Sequence, residues 1–319
     1  MIGQPTPDRT PRRRTLKAGV LAMLLTLAAA LLTAAPAQAV ARSWSTYFTY
    51  GHTCSNYHQA GNLRYALCTQ RSSTGQARTV AYVSPAGSGK ISVTVSSWSS
   101  RWSNSWTCAT VSLGAGQNRT CYGDWYTPAS YHGGYATFVV NGVRQSQLGN
   151  VVNYKPQGRK QETNTYCGPA AMQSALLTMG SPLVAQSTLA AESGTGSIGT
   201  MPWNVPNAMN RHVAYSQYDD NNFGQRSDAI NRVGVTIRLG RPGILLVNPN
   251  RLPGGTGDYF GPRHYVTVFG YATSGSTIER VAYFDPGSAA MGLMTVSQFG
   301  YAAYGANPLH PFSYTFVSA

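Results

Sequence analysis

The stretch QETNTYCGPAAMQ, residues 161–173, holds the one cysteine in the second half of the chain. Pro169 suits the first turn of a helix, where the N–H group that proline lacks would have no partner in any case. Apolar residues then recur every three to four positions as far as Met179, and a glycine follows. This spacing predicts a helix from about Gly168 to Met179, with Cys167 at its start.

A thiol at the start of a helix lies in a favourable place for catalysis. Unpaired backbone N–H groups and the positive end of the helix dipole favour the thiolate, which is the nucleophilic form of cysteine. A free cysteine is also a common small apolar core residue. Both interpretations of Cys167 remain open on local sequence alone, so the surrounding sequence must decide.

The N-terminus has the order of an export signal: a basic run over residues 12–17, an apolar stretch, and the motif Ala37-Gln38-Ala39. This order predicts a secretory signal peptide over residues 1–39 and an extracellular, secreted protein, free or associated with the cell wall. A membrane anchor is the alternative, because residues 18–34 are almost long enough to span a bilayer. After cleavage no stable membrane insertion is expected. Both the general and the twin-arginine export routes stay open.

The net charge of the chain indicates where the protein resides rather than which partner it binds. The chain carries a formal charge of +14, and loss of residues 1–39, with five basic side chains and one acid, would leave +10. Its basic residues are scattered, and only 11% of the chain is charged. Attraction to anionic surroundings such as wall polymers follows from this balance. No nucleic acid partner is predicted.

The composition changes near residue 150. Residues 40–142 are rich in Ser, Thr, Tyr and Trp, and alternating runs such as RTVAYVS and KISVTVSSW are separated by PAGSG. This pattern predicts short antiparallel strands in a small all-β domain, a sandwich or a barrel. Residues 143–160 are predicted to be a linker, and residues 161–319 a second domain.

Four cysteines lie in the β-rich segment, an even number that implies two disulfides in an exported protein. Four cysteines allow three connectivities, and the local pairing Cys54–Cys68 with Cys108–Cys121 is the prediction. A zinc site is less favoured, because no C-x-x-C spacing occurs. Cys167 is then the cysteine without a partner.

A thiolate nucleophile needs a histidine that accepts and returns a proton. Of the downstream histidines, His212 and His310 have neither a partner signal nor metal-ligand spacing, and no metal or cofactor is predicted. His264 differs, because it opens HYVTVFGY, a run of β-branched and aromatic residues. A second such run, ERVAYFDPG, ends at Asp285 before a Pro-Gly turn. The two runs predict a β-hairpin.

A reversal centred on Ser274 and Gly275 would pair positions whose numbers sum to 549. His264 then faces Asp285 on the same side of the sheet, with Cβ atoms about 5 Å apart. A carboxylate in that place can orient the imidazole and stabilise its charged form. The remaining pairs of this register are Gly270 with Glu279, Val268 with Val281 and Val266 with Tyr283. Glu279 is expected to be a solvated charge near the turn.

Attack on a carbonyl also needs hydrogen-bond donors for the oxyanion. The backbone N–H of Cys167 is one candidate. Gln161, six residues upstream in a polar, extended segment, is the second, through its side-chain amide.

Together these residues resemble a C39-like cysteine peptidase domain of the papain-like superfamily. The resemblance covers about residues 150–319 and rests on Gln161 and CGP, SPLVAQSTLAAESGT, RLGRPGILLV, HYVTVFGY and FDPG. It implies an α+β, papain-like fold, in which a helix bearing the nucleophile packs on an antiparallel sheet. It further implies that Cys167 is the nucleophile, His264 the base and acid, Asp285 the orienting residue and Gln161 the oxyanion donor.

Classical members of that family are cytoplasmic domains of exporters that cut leaders after a double glycine. This sequence contains no transporter spans and no nucleotide-binding motif. The leader specificity is therefore not carried over, and the β-rich segment is outside the family pattern.

The sequence thus predicts a secreted cysteine peptidase or amide hydrolase that acts through a thioester acyl-enzyme. Its substrate would be a peptide, a protein or a cell-wall peptide. One alternative is an acyltransferase or transpeptidase that uses the same triad, since both reactions share the acyl-enzyme. The other is a non-catalytic secreted protein that binds the cell surface.

Overall fold

The computed structural model describes residues 39–45, 53–72, 74, 76–99, 102–127, 131–153, 157–213, 218–253, 263–311 and 313–318. The signal peptide predicted over residues 1–39 lies outside these ranges, except for Ala39. In the described part of the chain, no helix has the length and apolar character needed to cross a membrane.

Over residues 39–153 the described elements are all strands. They are β1 (Val40–Arg42), β2 (Trp44–Ser45), β3 (Thr53–Cys54), β4 (His58–Ala60), β5 (Leu63–Arg71), β6 (Ala77–Pro85), β7 (Gly89–Ser99), β8 (Trp102–Leu113), β9 (Arg119–Tyr122), β10 (Tyr131–Val140), β11 (Val143–Arg144) and β12 (Leu148–Asn153).

The second half mixes helices and strands. In chain order they are α1 (Cys167–Thr178), α2 (Gln186–Glu192), α3 (Val205–Asn210), β13 (Asp219–Phe223), α4 (Arg226–Arg238), β14 (Gly243–Val247), β15 (His264–Ser274), β16 (Thr277–Asp285), β17 (Ala290–Thr295), α5 (Val296–Ala303) and β18 (Tyr314–Ser318). Short 3₁₀ turns at Pro202–Asn204 and Pro249–Arg251 complete it. The predicted helix at Cys167 is α1.

The β-rich half is a two-layer sandwich. One layer is a six-stranded sheet in the order β2-β9-β6-β5-β3, with β4 paired to β5. It packs on β7, β8 and β10 of a larger sheet, and the buried residues between the layers include Leu67 and Val83 from one side and Val95 and Phe138 from the other. Alternating apolar residues along each strand supply this core, because successive side chains point to opposite faces.

Both predicted disulfides are present, Cys54–Cys68 and Cys108–Cys121. The first joins directly paired residues of β3 and β5. The second links β8 of the larger sheet to β9 of the smaller one and so ties the two layers together. Cys167 is in no disulfide.

The larger sheet has twelve strands and runs through both halves of the chain, in the order β1-β8-β7-β10-β12-β15-β14-β18-β13. β12 joins the halves, because Val151 pairs with Gly133 of β10 on one side and with Tyr271 of β15 on the other. This differs from the linker predicted over residues 143–160, which here contains β11 and β12. The chain enters β11 through Asn141 and Gly142, both at positive φ, as in two-residue hairpin turns.

Helices cover both faces of the sheet in the second half. Ile244 and Leu246 of β14 face the core that contains α1, α2 and α3. Their neighbours Leu245 and Val247 face the core that contains α4 and α5. Burial on both faces explains why β14 is an unbroken apolar run rather than an alternating one.

The β15–β16 hairpin has a different register from the predicted one. Ser274 pairs with Thr277 and Val268 with Tyr283, so the paired numbers sum to 551 at both ends of the hairpin rather than to 549. The two-residue turn is Gly275-Ser276, with Gly275 at φ +58°. Irregularities after Val268 and after Ala272 insert one extra residue in each strand, and the two insertions compensate each other. Outside the stretch between these irregularities, the shift of two positions keeps the side chains on their predicted faces.

Glu279 is not the solvated charge that was expected. Its carboxylate accepts a hydrogen bond of 2.8 Å from the backbone N–H of Asn56 and lies 3.0 Å from Nε2 of His58. The neighbouring Arg280 donates to the carbonyl of Ser55 at 3.3 Å. The first half of β16 is therefore held against the β-rich half by contacts that local sequence could not reveal.

Candidate active site

Cys167 is the first residue of α1 and is buried, with 8% of its surface exposed. The helix start is packed so closely that a Cβ atom on Gly168 would collide with Oγ1 of Thr200. Glycine is therefore required after the cysteine, and Pro169 follows in the first turn as predicted. The CGP sequence thus reflects packing at the helix start as well as helix initiation.

Two hydrogen bonds fix the strand that carries His264 against this helix and the neighbouring loop. The hydroxyl of Thr267 donates to the carbonyl of Ala171 in α1 at 3.0 Å. The buried hydroxyl of Tyr265 donates to the carbonyl of Thr200 at 3.0 Å. Burial raises the pKa of Tyr265 well above its ordinary value, so this hydroxyl remains a donor.

His264, at the start of β15, is 2% exposed. Its Nε2 lies 2.6 Å from Oδ1 of Asp285, and the ring also hydrogen-bonds to the side chain of Cys167. Burial, the largest influence, lowers the pKa of His264. The hydrogen bonds to Asp285 and Cys167 and their negative charge outweigh it and raise the pKa from 6.5 to about 9. The geometry therefore favours the imidazolium.

Asp285, 4% exposed, is held by groups of the turn that follows it. The N–H of Gly287 donates to Oδ1 at 2.8 Å, and the hydroxyl of Ser288 donates to Oδ2 at 2.7 Å. Asp285 and His264 are thus in contact although the predicted register was wrong, because the two-position shift leaves both on one face of the hairpin. An aspartate that accepts from the N–H two residues later is typical of a D-P-G turn, so this contact was readable from sequence.

Gln161 lies beside the same turn. Its backbone N–H donates to the carbonyl of Pro286 at 3.1 Å, and its side-chain oxygen is buried without a hydrogen-bond partner in the described part of the chain. Buried Gln186 of α2 holds both neighbours of Gln161, donating to the carbonyl of Lys160 at 2.8 Å and accepting from the N–H of Glu162 at 3.0 Å. Sequence reasoning missed Gln186, since nothing near it in the chain indicates this contact.

A small cleft of about 20 Å³ opens beside Cys167. It is lined by Asn164, Thr165, Cys167, Ile198, Gly199, Thr200, Arg263 and Tyr265. That space accommodates about one water molecule, so a substrate carbonyl would enter a narrow site. The wall formed by residues 198–200 lies more than thirty positions from Cys167 in sequence and carried no sequence signal.

The other downstream histidines lie outside this constellation. His212 lies 2.7 Å from the carboxylate of Glu192 at the end of α2, and His310 has no described contact with Cys167. Within the described ranges, no group of three or more His, Cys, Asp and Glu side chains could hold a metal ion.

The second half of the chain is similar to known proteins. Residues 150–304 match the sequence profile of the Peptidase_C39 like family. A solved structure with some similarity is the peptidase domain of Streptococcus ComA, a bi-functional ABC transporter involved in a quorum sensing pathway. It is 16% identical, with 51% of this chain and 98% of that domain covered and a TM-score of 0.33. Among curated proteins none matches the chain. Residues 150–304 therefore belong to the C39-like peptidase family.

Proposed function

We propose that this protein is a secreted cysteine peptidase of papain-like type, in which Cys167, His264 and Asp285 form the catalytic triad. One observation carries the proposal. A single buried imidazole hydrogen-bonds to a thiol at a helix start and, through Nε2, to a carboxylate 2.6 Å away. A nucleophile, a base and a group that orients the base are the parts that covalent catalysis requires.

The chemistry follows from these contacts. Because Nε2 of His264 is engaged by Asp285, Nδ1 is the ring nitrogen that exchanges a proton with Cys167. The thiolate attacks the substrate carbonyl, and the oxyanion is stabilised by the backbone N–H of Cys167 and the side-chain amide of Gln161. His264 then gives its proton to the leaving amine, which leaves a thioester on Cys167. Water deprotonated by His264 hydrolyses that thioester and regenerates the thiol.

The substrate we propose is a peptide, a protein or a cell-wall peptide outside the cytoplasm. Two disulfides support an oxidising compartment. The calculated charge of +10 after signal removal supports residence near anionic wall polymers. Both observations agree with the export signal predicted over residues 1–39.

The test is selective alkylation of the purified protein by iodoacetamide at pH 6 without reductant, with the modified residue mapped by mass spectrometry. Fast labelling confined to Cys167 is expected. Cys167→Ala is the control that must abolish it. Labelling only after unfolding would identify a structural cysteine and overturn the proposal.

Once a peptide substrate is identified, product analysis distinguishes hydrolysis from acyl transfer. The proposal expects free carboxylate products, whose yield is little changed by an added amine. A product in which the amine has replaced water in most turnovers would instead assign the protein to the acyltransferases. Binding to cell walls by Cys167→Ala with no hydrolysis by the parent protein would favour the non-catalytic alternative.

A further inference from the structure

A second cleft, of about 390 Å³, lies at the far end of β15 from His264. One wall is the exposed side of α4, and the floor is formed by β10, β12 and the end of β15. Thr273 in this floor is nine residues from His264, which corresponds to about 30 Å along a strand. The cleft is therefore separate from the site at Cys167, and its volume falls in the range of ligand pockets, about 300–1,000 Å³.

Two glycines shape this cleft. Gly149 pairs with Tyr135 on one side and with Thr273 on the other, and a Cβ atom on Gly149 would collide with both side chains. Gly234 lies in the middle of α4, where glycine lowers helix stability by about 1 kcal/mol relative to alanine. The absence of a side chain at each position leaves open the space between the sheet and the helix.

An aromatic surface borders the floor. Tyr135 packs against Trp98 with ring centroids 4.4 Å apart and planes tilted by 39°, and Tyr135 keeps 40% of its surface exposed. An exposed aromatic face of this kind can stack on the C–H face of a sugar ring while its hydroxyl stays hydrated. Next to it, Thr273 is 8% exposed, and its hydroxyl has no hydrogen-bond partner in the described part of the chain. This oxygen has almost no accessible surface, so Thr273 shapes the floor of the cleft and its hydroxyl is not a contact for a ligand.

The helical wall supplies the charge. Asn231, Val235 and Arg238 are exposed and recur at helical spacing, so they present one stripe to the cleft. Arg238 is the charged residue among those that line the cleft, and none of the ion pairs between described residues includes it. A guanidinium pairs with a carboxylate through two parallel hydrogen bonds.

An extended peptide is a poorer fit. Peptides commonly bind sheets by adding a strand to an exposed edge. Here β12 is paired on both sides, by β10 and β15, so the floor offers no unpaired backbone edge. The cleft instead presents an aromatic face, hydroxyls, an amide and one guanidinium.

We infer that this cleft binds a saccharide that carries a carboxylate, with the sugar ring on Tyr135 and the carboxylate at Arg238. Such a site would hold the protein on an acidic glycan while Cys167, beside His264 at the opposite end of β15, remains free for substrate. The inference does not depend on the proposed peptidase activity.

The experiment is isothermal titration calorimetry of the full chain with trigalacturonate, with maltotriose as a neutral sugar and tetraglutamate as an acidic peptide. Trigalacturonate should bind most tightly. Arg238→Gln should weaken its binding about 10-fold or more, the effect of losing a charged hydrogen bond, and leave maltotriose unchanged. Tyr135→Ala should weaken both sugars.

Arg144→Gln, the same charge change at an exposed position of β11, is the matched control and should alter binding by less than about 2-fold, as surface changes usually do. Val235→Trp, on the exposed helix face, blocks the cleft without touching the sheet and should abolish binding of both sugars. Alkylation of Cys167 should be the same in all these variants. Tetraglutamate binding as tight as trigalacturonate, an equal loss in Arg144→Gln, or no binding of either sugar would each overturn the inference.

Discussion

The two halves of the molecule share one sheet, and each buries a histidine that hydrogen-bonds to residues of its own half. His132, on β10, is fully buried, and its pKa is lowered from 6.5 to about 3 by burial and by the positive charge of Arg71. His264, on β15, is almost as buried, yet its pKa is raised to about 9. The same side chain in the same sheet is thus kept neutral in one half and charged in the other.

The partners of each ring explain the difference. Nε2 of His132 lies 2.8 Å from the hydroxyl of Thr79, which in turn accepts from Ser97, while Nδ1 contacts the hydroxyl of Tyr126. Tyr126 donates to a backbone carbonyl, so the hydrogens run in one direction along a chain of neutral groups. Desolvation therefore sets the direction of the pKa shift at His132. At His264 a carboxylate and a thiol outweigh desolvation and raise the pKa. A buried histidine is thus structural or reactive according to whether acidic groups face it.

The largest expected effect comes from removing the charged histidine. In His264→Ala no imidazolium lies beside Cys167, and an ordinary thiol at pH 6 is only about 0.3% thiolate. We expect alkylation of Cys167 at pH 6 to slow by about two orders of magnitude and to recover as the pH rises toward 9. The measurement is the iodoacetamide rate from pH 5 to 9, with mapping of the labelled residue.

His132→Gln is the matched control for that experiment, since it removes the neutral histidine and should leave the rate at Cys167 unchanged. A rate in His264→Ala equal to that of the parent protein would mean that the thiol is not activated by this ring. The difference in pKa between His132 and His264 would then have no effect on the reactivity of Cys167.

The next effect concerns stability in acid. The folded-state pKa of His132 lies below 6.5, so the unfolded chain binds a proton that the folded chain does not. The free energy of unfolding should therefore fall as the pH drops from 6.5 toward 3, and between pH 6.5 and 4.5 His132 alone contributes a loss of about 2 kcal/mol. Urea unfolding at both pH values measures this loss.

In His132→Gln the stability at pH 6.5 is lower, but its decrease between pH 6.5 and 4.5 should be smaller than in the parent protein. The contribution of His264 to the free energy of unfolding changes with pH in the opposite direction. Because its pKa is raised, its contribution is present below pH 6.5 and is lost as the pH rises through about 9. An unchanged acid dependence in His132→Gln would show that His132 is not held neutral.

A smaller effect is expected from the residue that orients Asp285. Ser288→Ala removes one of the two donors that the following turn supplies to this carboxylate, a hydrogen bond to a charged group worth about 1.5–3 kcal/mol. Gly287 still donates, so we expect alkylation at pH 6 to slow about 10-fold and the pH profile to shift upward. Ser227→Ala, at the exposed start of α4, is the control. A drop in stability with an unchanged pH profile would assign Ser288 a structural role only.

The features that could be predicted from the sequence are those set by residues close together in the chain. The start of α1 follows from Pro169 and the apolar spacing after it, and the end of β16 at Asp285 follows from the Pro-Gly turn after it. Pairing of Cys54 with Cys68 followed from proximity in the chain. Each of these features involves residues fewer than about fifteen positions apart, where turn and helix rules apply directly.

Features that depend on distant residues were missed. The register of the β15–β16 hairpin was wrong because its turn lies one residue later and each strand carries an extra residue, which no periodicity reveals. β12 was taken for a linker because its pairing partners come from both halves. An Asn-Gly pair at 141–142, a strong hairpin signal, was the available indication that strand structure continues beyond residue 142.

The contact between the halves gives the smallest effect. Glu279, with 12% of its side chain exposed, holds His58 and the N–H of Asn56 across more than 220 positions of sequence. Glu279→Gln keeps the size of the side chain and removes its charge, so we expect a loss of about 1 kcal/mol in the free energy of unfolding at pH 6. Glu162→Gln, an exposed acid, is the control, and an equal loss in both variants at pH 6 would show that Glu279 acts only through net charge.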